Sequence, residues 1–231
     1  MNLYDACDTG DIEVVNKLLQ DPRVDPSDHA NYAIRKASRN GHYGIVNRLL
    51  QDPRVDPSAY YNDAIVIASR NGQLEVVNRL LQDPRVDPCV DGNDAVRYAS
   101  SYGHFKVVNR LLQDPRVDPS AYDNYAVRYA SSNGYFKVVN RLLQDPRVDP
   151  SAYDNYAFKM ASVYGHLEII EVLRTYLLKK HAARIFKLQT IKVARRHIFN
   201  WLTLPRTSDG KFGIDLRIGL HQLSGVPSSL A

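Results

Sequence analysis

Residues 120–150 read SAYDNYAVRYASSNGYFKVVNRLLQDPRVDP. Asp123-Asn124 can cap a helix N-terminus with a side-chain oxygen. Ser120-Ala121-Tyr122-Asp123 also matches a capping box, which would start the helix earlier. Ala126, Val127 and Ala130 follow at i, i+1 and i+4, on one face of that helix. Gly134 supplies the positive-φ residue that ends it. Phe136, Val139, Leu142 and Leu143 then share a face of a second helix, with Val138 beside them. Asp145 precedes Pro146, and a residue before proline is pushed out of the α region. Arg147-Val148-Asp149-Pro150 has room only for an extended turn. The stretch therefore predicts helix, tight turn, helix, extended loop.

The same design runs outward in both directions. Gln-Asp-Pro-Arg-Val-Asp-Pro occurs at 20–26, 51–57, 82–88, 113–119 and 144–150, always 31 residues apart. Gly10, Gly41, Gly72, Gly103, Gly134 and Gly165 keep that step, as do Ala6, Ala37, Ala68, Ala99, Ala130 and Ala161. Units fall at about 1–26, 27–57, 58–88, 89–119, 120–150 and 151–177, the last without the closing heptapeptide. One unit has too few large apolar side chains to offset the entropy of ordering its own backbone. Units must bury their faces on one another, which predicts an all-α solenoid of six stacked helix pairs with no sizeable sheet.

Composition narrows the function classes. The 231 residues carry a net charge of +5, unevenly spread. Residues 1–173 hold 19 Lys/Arg against 23 Asp/Glu, a net of −4, whereas residues 174–231 hold 11 against 2, a net of +9. Cys7 and Cys89 fit no metal-binding or disulfide-scaffold spacing, so a reducing compartment is expected. Met1-Asn2-Leu3-Tyr4-Asp5 lacks the basic and apolar regions of a signal peptide, and no window of about 20 apolar residues predicts a membrane span.

Asn124-Tyr125-Ala126-Val127-Arg128-Tyr129-Ala130-Ser131-Ser132-Asn133-Gly134 resembles the first-helix signature of the ankyrin repeat, with Ala130 and Gly134 at its Ala and Gly. Gly41-His42, Gly103-His104 and Gly165-His166 match its Gly-His. Leu74-Glu75-Val76-Val77-Asn78-Arg79-Leu80-Leu81 matches its second helix. The resemblance covers residues 1 to 177. Two features depart from the family: the period is 31 rather than 33, and Tyr125-Ala126-Val127-Arg128 stands where Thr-Pro-Leu-His is usual. The short period and proline-bound loop are similar to the ankyrin arrays of giant DNA viruses that infect amoebae. The resemblance implies protein–protein binding through the concave surface and loop tips, no cofactor and no catalysis. It further implies a viral protein acting on host proteins in host cytoplasm. A monomer is expected.

No constellation of non-repeated polar residues suggests an active site. Arg23, Arg54, Arg85, Arg116 and Arg147 recur beside aspartates, as expected of ion pairs that let loops stack. His42, His104 and His166 lie two repeats apart, too far for one metal ion, and are expected to make helix-start hydrogen bonds. Binding should lie where the repeats differ. One such row is Lys36, Ile67, Tyr98, Tyr129 and Met160, which the family arrangement puts on the concave side. A second holds Asn40, Asn71, Tyr102, Asn133 and Tyr164, and a third Tyr32, Asp63, Asp94, Tyr125 and Tyr156. Tyrosine offers large amphipathic contact area at low entropy cost. The candidate partner-binding residues are Lys36, Ile67, Tyr98, Tyr129, Met160, Tyr102 and Tyr164.

Beyond the array, Leu178, Ala182, Ile185, Leu188, Ile191, Ala194, Ile198 and Trp201 keep helical spacing. Lys179, Lys180, Arg184, Lys187, Lys192, Arg195 and Arg196 accompany them, with no acid from 177 to 202. A basic amphipathic helix over 178–202 is predicted. It can cap the stack, or it can bind an acidic partner, nucleic acid or a membrane surface. Residues 203–231 mix Gly, Pro and Ser with apolar residues, predict an irregular tail and show no F-box signature.

Overall fold

A computed structural model describes residues 1–202. Six helix pairs follow one another. They are α1 (Leu3–Thr9) with α2 (Ile12–Leu19), α3 (Asp28–Asn40) with α4 (Tyr43–Leu49), and α5 (Ala59–Arg70) with α6 (Leu74–Leu80). Then come α7 (Val90–Ser101) with α8 (Phe105–Leu111), α9 (Ala121–Ser132) with α10 (Phe136–Leu142), and α11 (Ala152–Val163) with α12 (Leu167–Leu202). No strand occurs among the described residues. The all-α solenoid expected from the repeat is the observed architecture. Residues 1–177 form one compact unit and a second begins at Leu178. The tail expected to be irregular, 203–231, lies outside the described residues, as does the F-box question.

Small residues set how closely the units stack. Ala95, Ala99, Ala126 and Ala130 are fully buried between successive first helices. Val108, Leu111, Val139 and Leu142 do the same work on the second helices. The longer first helices share more extensive contact with one another than the second helices do. Ser38, Ser69, Ser100 and Ser131 are buried beside the alanines, and their hydroxyls have no hydrogen-bond partner.

The first helix α1 is capped by Asn2, but the entry to each of the other five first helices differs from the expected cap. Within α9, Tyr122, Asp123 and Asn124 have φ of 52°, 53° and 61°. The Asn124 N–H donates to Ser120 O at 2.8 Å, closing a single left-handed turn. The same turn recurs at 29–31, 60–62, 91–93 and 153–155. An L-residue in this region costs about 1–2 kcal/mol, so the turn needs support from elsewhere. It has two kinds. Asn124 Oδ1 accepts the N–H of Asp149, in the loop that closes the same unit, at 2.6 Å, and Arg128 Nη2 donates to Tyr122 O at 3.0 Å. Neither Ser120 nor Asn124 caps the helix: Ser120 makes no side-chain cap bond, and its N–H and hydroxyl both donate to Asp118 Oδ1.

The loops stack through the recurrent arginine. Arg85 grips Asp83, two residues earlier, at 2.7 Å, and its Nη1 donates to Val55 O of the preceding loop at 2.9 Å. Arg54 and Arg116 repeat both contacts. After the fifth loop the heptapeptide is missing, and the Tyr176 hydroxyl takes the carbonyl of Val148 instead, at 3.2 Å. A second ladder joins the second helices, where Arg79, Arg110 and Arg141 donate to Asn47, Asn78 and Asn109 of the unit before.

The histidines are not local helix-start donors. His104 Nε2 lies 2.8 Å from Arg70 O and His166 Nε2 3.0 Å from Ser132 O, each in the preceding unit. A carbonyl only accepts, so these Nε2 atoms carry the proton. The ring seats over the preceding unit's glycine: a Cβ on Gly134 would lie 2.7 Å from His166 Cε1. Gly134 thus serves two ends, a φ of 79° and room for the next unit's ring.

Candidate functional site

The exposed side of the first helices carries the rows in which the units differ. Its frame is a set of buried or half-buried arginines held under aromatic rings. Arg97 lies 4.0 Å from the ring centre of Tyr122 and 4.6 Å from that of Tyr125, and pairs with Asp94 at 2.6 Å. Arg35 lies 4.7 Å from Tyr60 and pairs with Asp63 at 3.1 Å. Arg128 has no carboxylate at the corresponding places. Tyr125 and Tyr156 occupy them, and its guanidinium lies 4.6 Å from Tyr153 and 5.5 Å from Tyr156. Where Val66 replaces the arginine, Asp91 replaces the tyrosine of the next unit. Ring and guanidinium therefore come as a pair, as cation–π attraction requires.

Tyrosines gather on the later units. Tyr125 and Tyr129 stack with ring centres 4.0 Å apart, and Tyr156 lies 6.2 Å from Tyr129. Burial, before any neighbouring charge, raises the Tyr125 phenol above its ordinary pKa. On the earlier units a cleft of about 450 Å³ opens, lined by Arg39, Ile67, Arg70, Asn71, Tyr102 and His104. Arg70 Nη2 donates to the Tyr102 hydroxyl at 3.0 Å, and its guanidinium lies 5.2 Å from that ring and 5.7 Å from Tyr98.

These contacts place the residues singled out by sequence. Ile67 and Tyr102 meet in the cleft, and Tyr98 joins them through Arg70. Tyr129 belongs to the tyrosine cluster. Lys36 is half-buried, with Nζ 3.1 Å from Asp8, and that hydrogen bond raises its pKa. Met160 is half-buried and Tyr164 exposed, and neither joins the cleft or the cluster. Arg39 and Arg70 were not among the candidates. Their row reads Asp8, Arg39, Arg70, Ser101, Ser132 and Val163, which also varies between units.

In the second unit, Lys179, Lys180, Lys187, Lys192 and Arg196 are exposed, while the side chains of Arg184 and Arg195 lie outside the described residues. Leu178, Ile185, Phe186, Leu188 and Val193 are each more than half exposed. No described helix is long and apolar enough to cross a membrane. No group of three or more His, Cys, Asp or Glu among the described residues could hold a metal ion.

Against known protein families, the chain matches the profile of ankyrin repeats in three copies, over residues 3–91 and 34–123. A search of curated proteins finds no match.

Proposed function

The chain belongs to the ankyrin repeat family, a family of protein–protein interaction modules that are typically non-catalytic, and from that premise we propose that it binds a protein partner along its first-helix side. That side is concave in the family arrangement, and the loop tips flank it. One observation carries the reading. Side chains that hold the stack together recur every 31 residues, whereas Lys36, Ile67, Tyr98, Tyr129 and Met160 share no property that a common packing role demands. All five are half-buried, and Tyr102 and Arg70 are exposed, so each has surface to offer a partner.

The test is a double variant, Tyr98→Ala with Tyr129→Ala, compared with the wild-type full chain in affinity capture from candidate host lysate. Each truncated tyrosine is expected to weaken a captured partner by about 2 kcal/mol while the melting temperature falls little. Unchanged capture with a lowered melting temperature overturns the assignment and moves the site to the loop tips. The similarity to short-period viral arrays supports a protein of a giant virus acting on host proteins in the host cytoplasm, and amoebal lysate is the lysate to use. A monomer is expected by gel filtration with light scattering.

A second reading rests on the helix beyond Leu178, where exposed lysines and exposed apolar residues share an acid-free stretch. That combination suits an anionic membrane surface or nucleic acid. Deleting residues 178–231 separates the readings. Loss of salt-dependent binding to anionic vesicles or RNA, with protein capture intact, supports the second.

A further inference from the structure

The cleft lined by Arg39, Ile67, Arg70, Asn71, Tyr102 and His104 is unusual in its charges. Apart from Arg174, on the exposed face of α12, the other arginines of the array are engaged. Those of the loops and of the first-helix frame pair with aspartates, those of the second helices donate to asparagines, and Arg128 is enclosed by rings. Arg39 and Arg70 are exposed, in the same row of adjacent units, and neither forms an ion pair among the described residues, although the charge of Arg39 helps to lower the pKa of Asp8. The acid of that row, Asp8, already accepts from Lys36 at 3.1 Å and from Asn40 at 2.9 Å.

Arg70 is also held in place. Tyr102 accepts from Nη2 and lies under the guanidinium, and His104 fixes the Arg70 carbonyl. A guanidinium already held in place loses little freedom when it binds, and its planar fork matches a carboxylate in two-point contact. Ile67 adds an apolar wall on which methylenes can lie.

We propose that this cleft receives the carboxylate of an Asp or Glu side chain from the bound protein, with Arg39 and Arg70 as its two cationic contacts. This rests on the reading of the first-helix side as the binding surface and names the chemistry it selects.

The test is a displayed library of random peptides panned on the full chain, with enriched sequences then synthesised. Enrichment of Asp or Glu beside an apolar residue is expected. Arg39→Gln with Arg70→Gln should weaken those peptides about tenfold or more, equivalent to about 1.4 kcal/mol, at an unchanged melting temperature. Replacing the peptide's acid by Gln or Asn should weaken binding to wild type as much and to the double variant little. Enrichment of no peptide, of peptides without excess acid, or of acidic peptides indifferent to the two arginines overturns the proposal. So does a phosphoserine peptide that binds while its glutamate twin does not. Tyr43→Ala, an exposed substitution on the second helix α4 and in neither candidate surface, is the control variant. Acidic peptides that bind it normally but fail on the arginine variant uphold the cleft even if the broader tyrosine surface proves inert.

Discussion

The side-chain oxygen of Asn93 accepts the backbone N–H of Asp118 at 2.7 Å, across 25 residues of sequence, from the entry of a unit's first helix to its closing loop. The bond holds a residue with a φ of 68° and satisfies an N–H that the proline-bound loop cannot pair locally. Asn31, Asn62 and Asn124 make the same bond, whereas Asn155, with no loop after it, does not. Asn93→Ala should cost about 2–4 kcal/mol, combining a lost buried hydrogen bond with left-handed strain. Asn155→Ala should cost about 1 kcal/mol, from strain alone. Urea midpoints of the two variants measure this, and equal losses would show that the helix-to-loop bond contributes nothing.

This asparagine also marks how far the sequence could be read. The period, the buried alanines and the glycine stops were legible, because each acts through its own backbone or through identical neighbours. The left-handed turn was not. Asp123-Asn124 suits a helix cap and a positive φ equally well, and the partner that decides lies 25 residues away. His104 was misread as a local donor for the same reason, since its carbonyl is 34 residues back. Within the candidate site, the varying tyrosines were visible as rows. Arg39 and Arg70 were not, because what distinguishes them is that they border one cleft without forming an ion pair, which only three-dimensional placement reveals.

Gly134 and Gly165 separate two demands on one repeat position. Both have positive φ, but an added Cβ at Gly134 meets the His166 ring at 2.7 Å and one at Gly165 meets nothing within 4 Å. Gly165→Ala should lose only about 1 kcal/mol. Gly134→Ala should lose about 2–4 kcal/mol, because overpacking is added and the ring is tied to Ser132 O. Thermal unfolding of the pair checks this, and a His166→Ala background should bring the two losses together.

Ala99 has no exposed surface and sits where α7 meets its neighbours. Ala99→Leu should destabilise by about 1–3 kcal/mol through overpacking. An unchanged denaturation midpoint would mean that adjacent first helices can move apart freely.

Ser100 predicts the opposite sign one residue later. Its hydroxyl is enclosed without a partner, so the fold carries its desolvation cost with nothing in return. Ser100→Ala should leave stability unchanged or raise it by up to about 1 kcal/mol. A clear loss would reveal a hydrogen bond, to water or backbone, that the hydroxyl makes in solution.

The loop aspartates make stability fall in acid. At Asp52, Asp83, Asp114 and Asp145 the side-chain hydrogen bond from the arginine two residues on lowers the carboxyl pKa, against a smaller opposing effect of burial. A depressed folded pKa means the ionised form is favoured by folding. That contribution is complete above the unfolded value of about 3.9 and disappears as pH falls through the lower folded values. Asp94, raised mainly by burial, acts in the opposite direction, but it is one group against these four and against Asp8, Asp21, Asp25 and Asp28, which are lowered too. Urea midpoints should therefore hold steady near neutrality and drop below about pH 4. Asp83→Asn removes one of the four groups. It should be less stable than wild type near pH 6, and the gap should narrow toward about pH 2.5 as the wild-type carboxyl protonates. A gap independent of pH would assign the effect of Asp83 to its geometry in the turn rather than to its charge on Arg85.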